Sequence, residues 1–317
     1  MKQNFQNEAN VRGYVFEHSL EARVTGSDSR NPGVNFITGA IQVAVDEDCT
    51  NVVPVHFSFV PEKFNNGREN ATYTNLKQLI GENNTVNRVG KQNAARVRIS
   101  GNIEINDFYT RDDELVSAQR LRGSFCHFLN VTEPLEGGAI FKGDMLITFA
   151  GEQEYPTTGD THYALMGFMF DWNKAVLPVN FDATTKEGEK FFESQDITPS
   201  TPYFGTVWGS INSTTVEQAA QEPVENIGFG APVVSEARTF TSRVWGVEGA
   251  TMPLELDETT VTAEDVQKAL QDRETYLAEQ KARAAAYRAR QENGASTAFG
   301  GPKVEKTSPT KDFDFKF

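Results

Sequence analysis

From Val11 to about Leu254, apolar and polar positions alternate in short runs broken by Gly, Pro, Asn and Asp, the pattern of half-buried strands. VRGYVFEHSLEARV (11–24), NFITGAIQVAV (35–45) around Gly39, and NVVPVHFSFV (51–60) predict a meander, with DEDCT as a turn between the last two. The polar stretch EKFNNGRENATYTNLKQLIGEN follows, and its YTNLKQLI predicts one short helix. Alternation then resumes through AARVRISGNIEINDFYTRDDELVSAQRLRGSFCHFLNV. The first part of the chain is thus five or so strands with a helical insertion after the third.

The second part repeats this order. FKGDMLITFAGE (141–152), HYALMGFMFDW (162–172) around Gly167, and KAVLPVNFDAT (174–184) predict three strands. KEGEKFFES is helix-like, YFGTVWGSINS (203–213) corresponds to RVRISGNIEIN, and EARTFTSRVWGVEGA closes the unit. VVPVHF (52–57) and VLPVNF (176–181) mark the same third strand in two copies. Proline lacks the N–H a ladder needs, so each marks a bend or an open edge. Ordered similarity of this kind predicts a tandem repeat of one fold. The alternating Phe36, Phe57, Phe59, Phe168, Phe170 and Phe181 are assigned to its core.

Past Leu254 the period changes. Thr262 with Asp265 three residues on forms a helix start, and Val261 and Val266 occupy the positions of a hydrophobic staple. A helix is predicted from Ala263 to about Asn293, its apolar stripe (Val266, Leu270, Leu277) docking on the second β-domain and its basic end (Lys281, Arg283, Arg288, Arg290) in solvent. GASTAFGGPKVEKTSPTK is linker-like and leads to DFDFKF. The expected domains are a first β-barrel over 1–136, a second over 137–256, the helix over 257–293, and a disordered tail over 294–317.

Charge and composition narrow the function. A formal net charge of −14 excludes a generally basic coat for nucleic acid, so any such site must be local, within a Debye length of roughly 8 Å of its own Lys and Arg. The two cysteines, Cys49 and Cys126, form no metal-ligand spacing and are expected to be buried thiols. No signal-peptide core is present and no apolar run approaches the ~18–20 residues of a membrane helix, so a cytoplasmic protein is expected, in the bacterial host if phage-encoded. Phosphate-loop, GxGxxG, HExxH and GxSxG motifs are missing, and His18, His56, His127 and His162 lack ligand spacing. A non-enzymatic protein without cofactor or metal is therefore expected.

Five-stranded barrels with a helix between the third and fourth strands have the OB-fold layout, and such barrels hold single strands by stacking bases on aromatics beside a basic track. Arg96 and Arg98 share a strand face, and Phe108, Tyr109 and Arg111 follow near a turn. Lys63, Phe64, Arg68, Tyr73 and Lys77 crowd the insertion, and Trp172, Lys174 and Trp208 are the counterparts in the second unit. Tyr109 and Trp172 stay open between packing and stacking. With INDFYTRDDELVS the layout resembles phage-type and mobile-element single-stranded DNA-binding proteins of the OB-fold class. The resemblance covers roughly residues 10–135 and, more weakly, 139–250. It implies tandem OB-like barrels that bind single-stranded DNA in replication or recombination. It also implies a partner-docking tip, for which Asp312, Phe313, Asp314, Phe315 and Phe317 stand at matching kinds of position, while Lys316 departs from the pattern. Two other readings fit the same residues: a virion-type structural protein of duplicated barrels, and a small-molecule enzyme with a pocket between barrels.

Overall fold

The computed structural model describes residues 5–27, 29–110, 112–130, 132–133, 135, 137–155, 159–218, 238–257 and 260–295. Five strands close the first barrel in the order β1–β3–β4–β6–β5 and back to β1: β1 (Asn7–His18), β3 (Asn35–Ala44), β4 (Val52–Pro61), β5 (Arg96–Tyr109) and β6 (Leu115–Phe128). All neighbours are antiparallel except β4 and β6. The second barrel repeats the circuit with β7 (Ala139–Glu154), β8 (Thr161–Phe170), β9 (Val176–Ala183), β10 (Tyr203–Gln218) and β11 (Arg238–Ala250), again with a single parallel pair, β9–β11. In both copies a helix joins the third strand to the fourth. These are α1 (Ala71–Glu82), capped by the Asn70 side chain and followed by the short α2 (Val86–Val89), and α3 (Lys186–Glu193), capped by Thr185. Two tandem OB barrels are thus written in the strand order itself.

The segment 11–24, predicted as one strand, is broken in two. β1 and β2 (Glu21–Val24) lie along the same edge of β3, with a kink at Ser19–Leu20. Gly39 (φ 128°) permits the kink, since a Cβ there would lie 2.3 Å from the Ser19 carbonyl oxygen. Pro54 and Pro178 sit where the third strand lacks a neighbour on one edge, because the parallel ladders engage only Val55–His56 and Asp182–Ala183. The barrels meet through a further ladder rather than a bare linker: residues 7–11 of β1 pair with 139–143 of β7. One sheet therefore runs β6–β5–β1–β7–β10 across the junction.

The core fills both barrels with Val, Ile, Leu and Phe from the inward positions. The final helix, α4 (Ala263–Ala295), begins with the reciprocal Thr262–Asp265 box, Asp265 N–H donating to Thr262 Oγ1 at 3.1 Å and Thr262 Oγ1 to Asp265 Oδ2 at 2.9 Å. Val261, Val266, Ala269 and Leu270 pack on Leu146, Phe170, Val176 and Phe204 of the second barrel. Of the basic end, Lys281 and Arg283 are exposed as expected, while Arg288 and, nearer the start of the helix, Arg273 are held. Arg273 and Arg288 pair with Asp107 and Asp113 at the β5–β6 hairpin of the first barrel. Residues 296–317, with the tip Asp312, Phe313, Asp314, Phe315 and Phe317, lie outside the described residues.

Candidate nucleic-acid interface

In an OB barrel the outer face of strands two and three, flanked by the loops between strands one and two and between four and five, is the surface that takes oligonucleotides. The two copies present that face differently. On the second barrel, Phe168, Phe170 and Val176 point outward from β8 and β9, and α4 lies over them. On the first barrel the Pro54–His56 end of β4 adjoins the β10–β11 hairpin: Ser213 N–H donates to Asn51 Oδ1 at 2.8 Å, and Asn51 Nδ2 reaches Asn212 Oδ1 at 3.2 Å. The other end of that face, around Phe36 and Phe59, stays open.

Phe59 was expected in the core because it is in phase with Val53, Val55 and Phe57, all buried. A β-bulge reverses it. Gly39 faces Phe57 and Ile37 faces Val60, so Ser58 and Phe59 together oppose Thr38. The extra residue turns Phe59 outward, where its ring is 47% exposed and lies 4.6 Å from that of Phe36. Arg23 of β2 stands directly opposite Phe36. The hairpin that leaves β4 carries Lys63, Phe64 and Arg68, all exposed, and closes through the Lys63–Glu69 bridge and a bond from Phe64 N–H to the Arg68 carbonyl. Two aromatic rings, a third on the next turn and three cations, of which Arg23 is paired with Glu21, are groups of the kind that can stack unpaired bases and hold phosphates.

The remaining residues singled out from sequence go elsewhere. Tyr73 is buried under α1 as part of the core, which corrects its assignment as a stacking ring. Arg96 stacks on Tyr14 at 5.7 Å and donates to the carbonyls of Asn130 and Glu133, so it ties down a loop rather than tracking phosphates. Tyr109, half-buried, donates to the Leu277 carbonyl at 3.2 Å under α4, with Lys281 over its ring. Phe108 is exposed beside it, and Arg111 falls outside the described residues. Arg98 lies on the outer face of β5, opposite Arg12 and His127. Trp172 and Lys174 occupy the β8–β9 turn, with Trp172 84% exposed, and Trp208 lies on the outer face of β10. Among the described residues no group of three metal-ligating side chains occurs.

His56 marks the closed end of the face. Burial, with Arg120 and Arg243 nearby, holds its imidazole down to about 4. Because the unfolded chain titrates near the ordinary 6.5, it binds more protons than the folded chain between those values, and stability rises with pH across that window. Acidification from pH 6.5 to 4 is therefore expected to cost on the order of 2 kcal/mol through this group, after allowance for its partial exposure. Urea midpoints of the wild type should fall more steeply than those of His56→Gln over that range; parallel curves would remove His56 as the cause.

The YorF family model matches residues 6–283. The chain belongs to the YorF family. No curated protein matches it in sequence. Solved structures of the single-stranded DNA binding protein from Thermus aquaticus are similar at 12% identity, the wild type with a TM-score of 0.43 over 80% of this chain and 96% of that one. A deletion and point mutant of the same protein gives 0.44 over 80% and 97%, again at 12% identity. At that distance the OB assignment of this YorF protein rests on its own strand order. No helix among its described residues is long and apolar enough to cross a membrane.

Proposed function

We propose that this YorF protein binds single-stranded DNA, without catalysing a reaction, on the open end of the β3–β4 face of its first barrel. The observation that carries the reading is the outward Phe36–Phe59 pair, with Arg23 opposite Phe36 and the exposed Lys63, Phe64 and Arg68 on the hairpin that follows β4, on the OB surface suited to oligonucleotides. The helix packed over the matching face of the second barrel supports first contact by the first barrel. The domains are taken as 1–136, 137–256, 257–293 and 294–317. The setting is taken as phage or mobile-element replication or recombination, with the acidic aromatic tip docking on partner proteins.

Anisotropy titration with labelled oligo-dT tests this. Binding should weaken as salt rises from about 50 to 200 mM, since each phosphate held releases counterions. Phe59→Ala should lower affinity by about fivefold to a hundredfold, a base–aromatic stack being worth ~1–3 kcal/mol. No binding at low salt, or affinity indifferent to salt, would sink the reading and favour a structural role for the duplicated barrels.

A further inference from the structure

The junction between the barrels carries a second set of cations and aromatics on a different surface. Arg12 and Arg98 are directly opposite one another on β1 and β5, with His127 next in the same row. Like charges in that relation repel, yet among the described residues neither arginine has a carboxylate partner, in a chain whose net charge is −14. The same face also carries Glu8, opposite Lys142, and Glu248, which accepts from the Ser210 hydroxyl, but neither pairs with these arginines.

The adjoining row across the same sheet is Phe125, Ser100, Asn10, Ile140 and Ser210. Phe125 would continue the inward phase of Leu121 and Gly123, but the bulge at Ser124 turns it out, and it is 56% exposed. Its ring lines a cleft of about 280 Å³ with Trp172 from the second barrel; the amide of Asn102 and the hydroxyls of Ser100 and Ser124 supply polar groups there. Asp171, whose carboxylate already accepts the Ala175 N–H at 2.8 Å, closes the far side. Arg98 lies two residues from Ser100, about 7 Å along the strand. At the other edge of the face, about 20 Å away across four strand spacings, Trp208 lies flat on the sheet. A Cβ on Gly249 would come within 2.4 Å of its indole, so one ring face is seated on that glycine.

We infer that this junction face is a second contact for single-stranded DNA. Phe125 and Trp172 receive a base in the cleft, Arg12 and Arg98 hold the neighbouring phosphates, and Trp208 takes a base further along. The inference rests on the proposed single-strand binding and adds that the strand engages both barrels. The arginines flank the Phe125 row on one side, and Trp208, with Lys142 beside it in its own row, flanks it on the other; rings and cations on one face suit bases and phosphates, which an apolar protein partner does not offer.

The test uses the full chain, a long oligo-dT of about 30 nucleotides and a short one of about 8, chosen within the ~4–16 nucleotides one OB barrel covers. The variants are Arg12→Ser with Arg98→Ser, Trp208→Ala, and Phe59→Ala. The arginine pair should reduce the magnitude of the salt slope for the long oligonucleotide by about 1.4, two phosphate contacts at ~0.7 each. Trp208→Ala should weaken the long oligonucleotide about fivefold or more, one base–aromatic stack, and should remove part of the tryptophan quenching that long, but not short, oligo-dT produces. Circular dichroism checks that each variant is folded; if the serine pair fails, Arg12→Gln with Arg98→Gln replaces it. An unchanged slope and unchanged quenching, with Phe59→Ala still impaired, overturn the junction contact alone. If the wild type binds neither oligonucleotide, both readings fall.

Discussion

Replacing Arg273 by alanine is expected to lower the unfolding free energy by about 3–5 kcal/mol, the cost of leaving a buried charge without its partner. Arg273 donates from both terminal nitrogens to Asp107, at 3.0 and 2.7 Å, and Ser117 Oγ donates to the same carboxylate at 2.6 Å. The Asp107 side chain is 3% exposed. Once Arg273 is gone, that carboxylate keeps one hydroxyl and little water. Exchanging both groups for apolar ones, Arg273→Met with Asp107→Leu, should restore most of the loss, because no unpaired charge remains. Urea denaturation of the two variants decides it: equal destabilisation by both would mean that lost contact area, not orphaned charge, sets the cost. Early proteolysis of α4 in Arg273→Ala should accompany the loss, since this pair fastens the middle of the helix to the β5–β6 hairpin.

The second large effect is expected in the repeated third strand. Phe57 and Phe181 end the VVPVHF and VLPVNF motifs, and both are buried in the core. Phe181 stacks on Phe141 at 4.8 Å and lies 6.2 Å from Trp245. Phe57 fills the space over Gly123, where a Cβ would come within 2.5 Å of its ring. Either phenylalanine cut back to alanine should cost about 3–5 kcal/mol. Phe181→Ala should also shift the emission of Trp245 to the red, Trp172 and Trp208 being already exposed. Phe59→Ala, two residues beyond Phe57, should cost under about 1 kcal/mol because its ring faces water. A Phe59 variant as unstable as the Phe57 variant would contradict the outward orientation.

That contrast shows what a one-dimensional pattern reaches and what it misses. Alternation locates β3, β4, β7 and β8 to within two or three residues, because a half-buried strand must place one face on the core. The paired prolines, the helices after each third strand and the start of α4 follow from local chemistry that needs no tertiary contact. Phase is different. One extra residue in a strand inverts every side chain after it, and whether a residue is extra depends on the partner strand. Phe59, Phe125 and Phe149 all follow such an insertion, at Ser58, Ser124 and Thr148, and all three face solvent. A glycine inside a strand and a small hydroxyl residue at each insertion were the visible hints. Arg96, Tyr73 and Tyr109 are engaged within the fold for a related reason. Their charge and aromaticity are plain in the sequence, but Tyr14, the core under α1 and the underside of α4 claim them first.

The ladder between β1 and β7 has a consequence during synthesis. All five strands of the first barrel lie before residue 129, so that barrel can close while the second is still unmade. At that stage residues 7–11 have β5 on one side and nothing on the other, because β3 pairs only with the later half of β1. The nascent chain therefore shows a short open edge, available to other strands, until Ala139–Gly143 emerges and zips onto it. Slow translation between the emergence of the first barrel and that of Ala139–Gly143 would prolong that interval, and the growing chain would then be most exposed to mispairing with its neighbours on the same message.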